Sequence, residues 1–384
     1  MQQNNRRFIS VLTAAAKGLT TLLLTALSLA VMALLLGSIL LGGRTATGTD
    51  SSTKDQALMD SYDMYMTNRV SDALEGVLAV EKVYWLNDED IIAPEPDPEK
   101  FGTASDPAQL AGLLEEAEHL LDGQQTLFSV DTRLLPGSKV TYYLDETILC
   151  VTWKCPIGGA NYTFSEVKIA HPSQFRRFLA DGQYGSEKQY YTTEMAASVN
   201  AVTASNADFY KFRPFGIIVY NGKVCRVDSR VDTCFIDDQG QLLFVPAGQI
   251  TDWETAQRYV DEHNIRFSLA FGPVLIEDGK NVVPYDYIVG EVNGNFSRAA
   301  IAQLGPLHYL MVVTGYENEY RSMPTTRQFA DVLVSMGVEK AYCLDGGQTA
   351  VIVTNDQLIN RPNYGVQRTV SDMIYFATAV PDGG

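Results

Sequence analysis

Residues Gly18 to Leu41 (GLTTLLLTALSLAVMALLLGSILL) carry no charge over 24 consecutive positions. As a helix, such a run crosses a hydrocarbon core of about 30 Å. No other open structure fits it, because lipid offers no partner to an unpaired backbone N–H or C=O. A secretory signal peptide has an apolar region of roughly 7 to 15 residues ending at a small-residue cleavage site, so the longer run reads as an uncleaved anchor. Arg6, Arg7 and Lys17 precede it and only Arg44 follows closely. That bias keeps the N-terminus inside and the bulk of the chain outside. The Arg6-Arg7 pair resembles a twin-arginine export signal in those two residues alone.

The segment after the span divides by composition. Gly42 to Thr53 is small and polar and suits a flexible exit. From Asp55 to Val80, Leu58, Tyr62, Tyr65, Val70, Leu74 and Val77 recur loosely at helical spacing and predict a helix that is a stalk or, as the alternative, a self-associating segment. Ile91 to Pro107 (IIAPEPDPEKFGTASDP) is acidic and proline-rich and reads as a linker. A helix follows, with Asp106 as N-cap, Pro107 at its first position, Gln109 completing the box and Gly123 at its end. The organisation is thus a tail at 1–17, a transmembrane helix at 18–41, a stalk with helices and linker at 42–139, and a globular domain at 140–384.

Within that domain, three turns predict hairpins. Asn221-Gly222, Asp237 to Gly240, and Asp278-Gly279 each separate two short apolar runs. Helices are expected at Pro172 to Ala180, at Asp252 to Glu262 with Thr251 as a cap, and at Thr326 to Met336. The fold class is therefore α+β: a mixed, largely antiparallel sheet with interspersed helices behind an N-terminal transmembrane helix. The formal net charge of -17 argues against nonspecific nucleic-acid binding, since an anionic surface repels a phosphate backbone. Any anionic substrate must be met by local arginines.

The stretch Ala341 to Val353 (AYCLDGGQTAVIV) places Asp345, Gly346, Gly347, Gln348 and Thr349 between two apolar runs. Paired glycines let the backbone take positive φ or approach a ligand closely. The helix before it is well marked: Thr325 caps with Gln328, Phe329, Val332, Leu333 and Met336 form one stripe, and Gly337 stops it.

An ordered set of motifs then carries a resemblance. The set is Ser205 to Tyr210 (SNADFY), Gly216 with the Asn221-Gly222-Lys223 turn, Gly272 to Leu275 (GPVL) with Asp278-Gly279-Lys280, and Ser297 to Ala302 (SRAAIA). It continues through Leu344 to Thr349 (LDGGQT), Asn360-Arg361-Pro362 and Arg368 to Ser371 (RTVS). Together these resemble the phosphodiester glycosidase family over roughly Val140 to Val380. That family includes an N-acetylglucosamine-1-phosphodiester hydrolase and bacterial proteins of the exopolysaccharide biosynthesis type. Gln348-Thr349 stands where the family often has Gly-Ser, and Ala302 where a glycine is usual. The resemblance implies a hydrolase of sugar 1-phosphodiesters in surface glycan metabolism. The alternative is a non-catalytic glycan-binding or assembly protein of the same fold.

The chemistry is consistent with a small catalytic set. A departing phosphate monoester has a second pKa of about 6 and needs little proton donation, whereas ordinary glycosidases need two carboxylates. Within the matched motifs, Asp345 and Asp208 are candidate bases or metal ligands, and Arg298 a candidate phosphate clamp through its planar fork. Asn206 is a candidate for sugar hydroxyls, Gly346 and Gly347 offer backbone N–H groups, and Gln348, Thr349 and Arg368 complete the substrate-binding set. His119, His171, His263 and His308 lack metal-ligand spacing. Ca²⁺ held through Asp208 or Asp345 is the one cofactor considered, without an EF-hand pattern. Cys225 and Cys234, and more awkwardly Cys150 and Cys155, are candidate disulfide pairs, whereas Cys343 reads as a buried thiol. Asn161-Tyr162-Thr163 and Asn295-Phe296-Ser297 match the glycosylation pattern.

The anchor reading generates a topological prediction. Cysteines introduced after Asp50 should react with a membrane-impermeant reagent in intact cells, and those introduced before Lys17 should not. Protection of the region after Asp50 would reverse the orientation.

Overall fold

The computed structural model describes residues 92–105, 107–130, 140–288, 291–315 and 323–379. The chain divides into units 1–75 and 76–384, and all described residues belong to the second. The predicted span at Gly18 to Leu41 and the stalk helix at Asp55 to Val80 lie outside the described residues, as does the capping Asp106. Among the described residues no helix is long and apolar enough to cross a membrane.

Strands are numbered in chain order. The largest sheet runs β1 (Phe101–Ala104), β2 (Val140–Leu144), β3 (Ile148–Ile157), β4 (Ala160–Ile169), β15 (His308–Gly315), β14 (Ala299–Gly305), β16 (Lys340–Leu344), β12 (Val274–Glu277) and β13 (Lys280–Asn281). A second sheet runs β18 (Gln357–Leu358), β17 (Ile352–Thr354), β6 (Thr203–Asn206), β19 (Asp372–Phe376) and β5 (Phe175–Leu179). Smaller sheets join β10 (Leu242–Val245), β9 (Thr233–Ile236) and β11 (Phe267–Leu269), and β7 (Ile218–Tyr220) with β8 (Lys223–Arg226). Every pairing between these strands is antiparallel. The helices are α1 (Pro107–Glu116), α2 (Glu118–Leu121), α3 (Leu127–Val130), α4 (Thr192–Ser198), α5 (Trp253–Glu262) and α6 (Thr326–Ser335). The expected α+β class with a largely antiparallel sheet is what the described residues form.

Side chains alternate across a strand, and here both faces of the large sheet are covered. Ala300, Ala302, Leu310, Val312, Tyr162, Phe164 and Cys343 face a core that includes Leu110 and Leu113 of α1 and Phe329, Ala330 and Leu333 of α6. Ala299, Ile301, Tyr309, Met311, Val167 and Leu344 face the opposite core, with Ile352, Ile374 and Phe376 of the second sheet and Ile236 and Leu269 of the small one. The architecture is therefore helices, large sheet, then smaller sheets. Burial on both faces is why β15 (HYLMVVTG) is buried at every position instead of at alternate ones.

Local signals placed several elements correctly. Asn221 (φ 58) and Gly222 (φ 67) are both left-handed, the geometry that a two-residue hairpin needs, and all three expected hairpins form. Helix α6 begins with the reciprocal cap between Thr325 and Gln328. Other expectations are corrected. The helix expected at Pro172 to Ala180 is a single 3-10 turn at Pro172–Gln174 followed by β5, because Phe175 to Leu179 finds β19 as a partner. The cap of α5 is Asp252, whose Oδ1 accepts from Thr255 N at 2.9 Å, and not Thr251. The expected linker supplies β1, so the large sheet already begins at Phe101, ahead of the boundary drawn at Val140.

The cysteines, too, differ from expectation, since all five are free. Cys150 and Cys155 lie on β3 in opposite cores, five residues apart. At about 3.3 Å per strand residue their Cα atoms stand far beyond the roughly 7 Å that a disulfide spans. Cys234 is buried in β9, whereas Cys225 is half-buried on β8 of another sheet. Cys343 is the buried thiol expected, its pKa raised to about 12 mainly by burial.

One polar cluster ties the layers together. Arg177 on β5 donates through Nη2 to Asp208 Oδ1 and to Asp372 Oδ2, each at 2.7 Å, and all three side chains are fully buried. Its Nη1 donates to Ser268 O of β11, joining the second sheet to the small one. Asp208 Oδ2 accepts from Ala270 N at 2.7 Å. Arg177→Met should cost about 3–5 kcal/mol, because two buried carboxylates lose their cation. Combining it with Asp208→Asn and Asp372→Asn should recover most of that loss. Denaturant unfolding of both proteins checks this, and a near-neutral Arg177→Met would remove the cluster from the stability of the fold.

Candidate active site

The large sheet hands the chain to the second sheet between β16 and β17, and Asp345 is the first residue of that passage. Two neighbouring segments fix it. Asp345 N donates to Ala207 O at 3.0 Å, and Asn206 Nδ2 donates to Asp345 O at 2.6 Å. On the other side, Gly347 N donates to Ser297 O at 2.8 Å. Gly346 lies so close to this strand that a Cβ would sit 2.3 Å from Ser297 O. The predicted glycine requirement at this turn thus has a physical cause: a backbone oxygen occupies the space of any side chain at 346.

A pocket of about 250 Å³ opens over this turn. Asp345 lies at its half-buried floor. Thr349 Oγ1 donates to Asp345 Oδ2 at 2.9 Å and lies 2.6 Å from Gly346 O, which competes for the same proton. Oδ1 has no hydrogen-bond partner among the described residues. Burial raises the carboxyl to about 6, with Asp208 adding to the rise. The Thr349 hydroxyl and the guanidinium groups of Arg213 and Arg368 pull the other way.

Two arginines face this carboxyl from seats on aromatic rings. Arg213 lies over Phe271 at 4.5 Å, and Arg368 lies over Phe209 at 5.3 Å and Phe212 at 5.1 Å. A ring face attracts a guanidinium without using its in-plane N–H groups. Neither arginine has an ion pair or hydrogen bond among the described residues, so these edges face the pocket with their donors uncommitted. Arg213 lies outside the motifs that carry the resemblance. The available signal was the alternation Phe212-Arg213-Pro214-Phe215 shortly after Asp208, and an arginine between phenylalanines does not declare a ligand in sequence.

Other expected site residues have different work. Asp208 is 1% exposed, with its oxygens bonded to Arg177 and Ala270 N, and it is not among the residues that line the pocket. Asn206 is also buried, and its amide holds Asp345 O and accepts from Val351 N at 3.2 Å, which makes it a positioning residue, not a sugar ligand. Gly347 spends its N–H on Ser297 and cannot offer it to a phosphate. Gln348 lines the pocket while its Nε2 donates to Val366 O at 3.1 Å. Arg298 lines the pocket too, but Nε donates to Pro324 O and Nη2 to Glu291 O and Gly294 O, so much of the expected clamp is turned to backbone carbonyls. Burial pushes its pKa below that of an ordinary arginine.

No group of three or more His, Cys, Asp or Glu side chains that could hold a metal occurs among the described residues. The carboxylates that line the pocket are Asp345 and Glu291, which supply fewer oxygens than the 6 to 8 that Ca²⁺ takes.

The comparison with protein families agrees with the motif reading. The model of the phosphodiester glycosidase family matches residues 199–377, a range that contains Asn206, Asp208, Arg213, Arg298, Asp345 and Arg368. No curated protein matches the chain. Among solved structures, the chain is similar to the catalytic domain of zebrafish N-acetylglucosamine-1-phosphodiester alpha-N-acetylglucosaminidase, auto-inhibited by its pro-peptide. That match has a TM-score of 0.50 and 15% identity, over 61% of this chain and 84% of that one. A hypothetical protein from Synechocystis matches with a TM-score of 0.49 and 16% identity, over 62% of this chain and 63% of its own length.

The crowding at residue 346 yields a prediction. Gly346→Ala should lower stability by about 1–3 kcal/mol and displace Asp345, because the opposing atom belongs to the backbone of Ser297. A thermal melt together with the carboxyl resonance of Asp345 would check it. An unchanged melt and resonance would show that the turn tolerates a side chain.

Proposed function

With residues 199–377 matching the phosphodiester glycosidase family, we propose that this chain hydrolyses sugar 1-phosphodiesters at the anomeric carbon, in the manner of an N-acetylglucosamine-1-phosphodiester glycosidase. The observation that carries the reading is one pocket holding a carboxyl raised to about 6 beside two ring-seated arginines without acidic partners. Arg213 and Arg368 bind the diester phosphate through their free edges. Asp345, as the carboxylate, takes a proton from water as the water oxygen bonds to the anomeric carbon. The bond from that carbon to the phosphate oxygen breaks, and its electron pair leaves on the phosphate monoester. Because the second pKa of that monoester is about 6, the departing group needs no strong acid. Thr349 orients the base through the hydrogen bond to Oδ2.

The uncharged span at Gly18 to Leu41 and the cations before it support a single-pass protein of the cell membrane, N-terminus cytoplasmic, with this domain outside and acting on surface glycan or exopolysaccharide.

Two measurements on the full-length protein test the reading. A base with a pKa of about 6 makes kcat/KM rise with pH through that value and level above it. Asp345→Asn should cut release of free sugar from a sugar 1-phosphodiester by about a hundredfold or more. Its fold should hold. A carboxyl whose folded pKa lies above its unfolded value loses its contribution to stability as pH rises through the folded pKa. Above about pH 6 the asparagine variant, which carries no buried charge, should therefore melt no lower than the parent. Sugar-phosphate binding without turnover by the parent protein would make it the non-catalytic glycan-binding or assembly protein, and full activity of Asp345→Asn would remove the base.

A further inference from the structure

The pocket holds a second carboxylate that the hydrolytic scheme does not use. Glu291 lines it beside Arg298, close enough for its charge to raise the pKa of that guanidinium against the effect of burial. Its side chain is exposed and makes no hydrogen bond or ion pair among the described residues. Its backbone is left-handed (φ 41), a conformation that costs a residue with a Cβ and persists only where its surroundings impose it. The surroundings do so here. Gly294 N donates to Glu291 O at 2.8 Å, and the buried Arg298 reaches through Nη2 to Glu291 O at 3.2 Å and to Gly294 O. The same turn presents Phe296, whose half-buried ring also lines the pocket. A Cβ at Gly294 would sit 2.3 Å from that ring, so glycine is what allows the ring to lie across the turn.

We propose that Glu291 and Phe296 form the subsite for the sugar ring, with the Glu291 carboxylate accepting hydrogen bonds from sugar hydroxyls and so selecting neutral sugars. This rests on the phosphodiester reading of the same pocket and gives it a substrate class. Phosphate departs without an acid, so a second carboxylate is free to serve recognition. A carboxylate is an acceptor-only group with four lone-pair sites, which suits hydroxyl donors. An aromatic face suits the apolar C–H face of a pyranose. A fixed negative charge also repels a sugar with its own carboxylate, which is selection by rejection. Arg298 then acts as a positioning residue, its fork spent on holding the turn that carries Glu291.

The test is equilibrium binding of three probes to the full-length protein and to Glu291→Gln: inorganic phosphate, glucose 1-phosphate and glucuronic acid 1-phosphate. The parent should bind glucose 1-phosphate more tightly than inorganic phosphate and discriminate against the glucuronic acid compound. In Glu291→Gln the advantage of glucose 1-phosphate over inorganic phosphate should fall by about tenfold, the scale of one charge-assisted hydrogen bond. The glucuronic acid compound should bind more tightly than to the parent, and inorganic phosphate at least as tightly. If inorganic phosphate binds but the ratios among the probes are the same in both proteins, the sugar subsite is wrong and the phosphate site stands. If the parent binds none of the three, the phosphodiester reading fails and the subsite falls with it.

Discussion

The buried cluster of Arg177, Asp208 and Asp372 is the interaction on which the site depends. One guanidinium faces two fully buried carboxylates, and taking such charges out of water costs several kcal/mol per ion, which their attraction must offset. Burial, with the charge of Asp208 adding to it, raises the Asp372 carboxyl well above the ordinary carboxylate range, although Arg177 pulls the other way. The cluster's mechanical consequence lies one residue away: Asp208 anchors the loop whose Ala207 carbonyl and Asn206 amide hold the backbone of Asp345.

The pocket above uses the same physics with the opposite result. Asp345 is raised less than Asp372, because the charge of Asp208 bears on it only weakly while the Thr349 hydroxyl and the Arg213 and Arg368 guanidinium groups lower it. A carboxyl near 6 is ionised at neutral pH and still basic enough to accept a proton. The three pocket arginines divide by what their edges touch. Arg298 is fixed by backbone carbonyls and shapes a turn. Arg213 and Arg368 are held by ring faces, which fix position while leaving hydrogen-bond donors unspent.

What the sequence determined by itself was whatever a few neighbouring residues enforce. Asn221-Gly222 specifies a hairpin because both residues tolerate left-handed backbone, and Thr325 with Gln328 starts a helix because each caps the other's backbone. The close backbone packing of the Asp345-Gly346-Gly347 turn was legible for the same local reason, and the ordered motifs carried the resemblance that the family model matches over residues 199–377. Tertiary structure decided the rest. Phe175 to Leu179 became a strand because β19, nearly two hundred residues later, supplied its hydrogen bonds. Asp208 and Asn206 carry the right chemistry for a site, yet Arg177 and the Asp345 backbone claim their polar atoms first. Arg213 gave no signal because its role is defined by the Phe271 ring beneath it and the carboxyl before it, neither of which is near it in the chain. A side chain's type fixes which bonds it can make, and only the folded neighbourhood fixes which of them remain for a substrate.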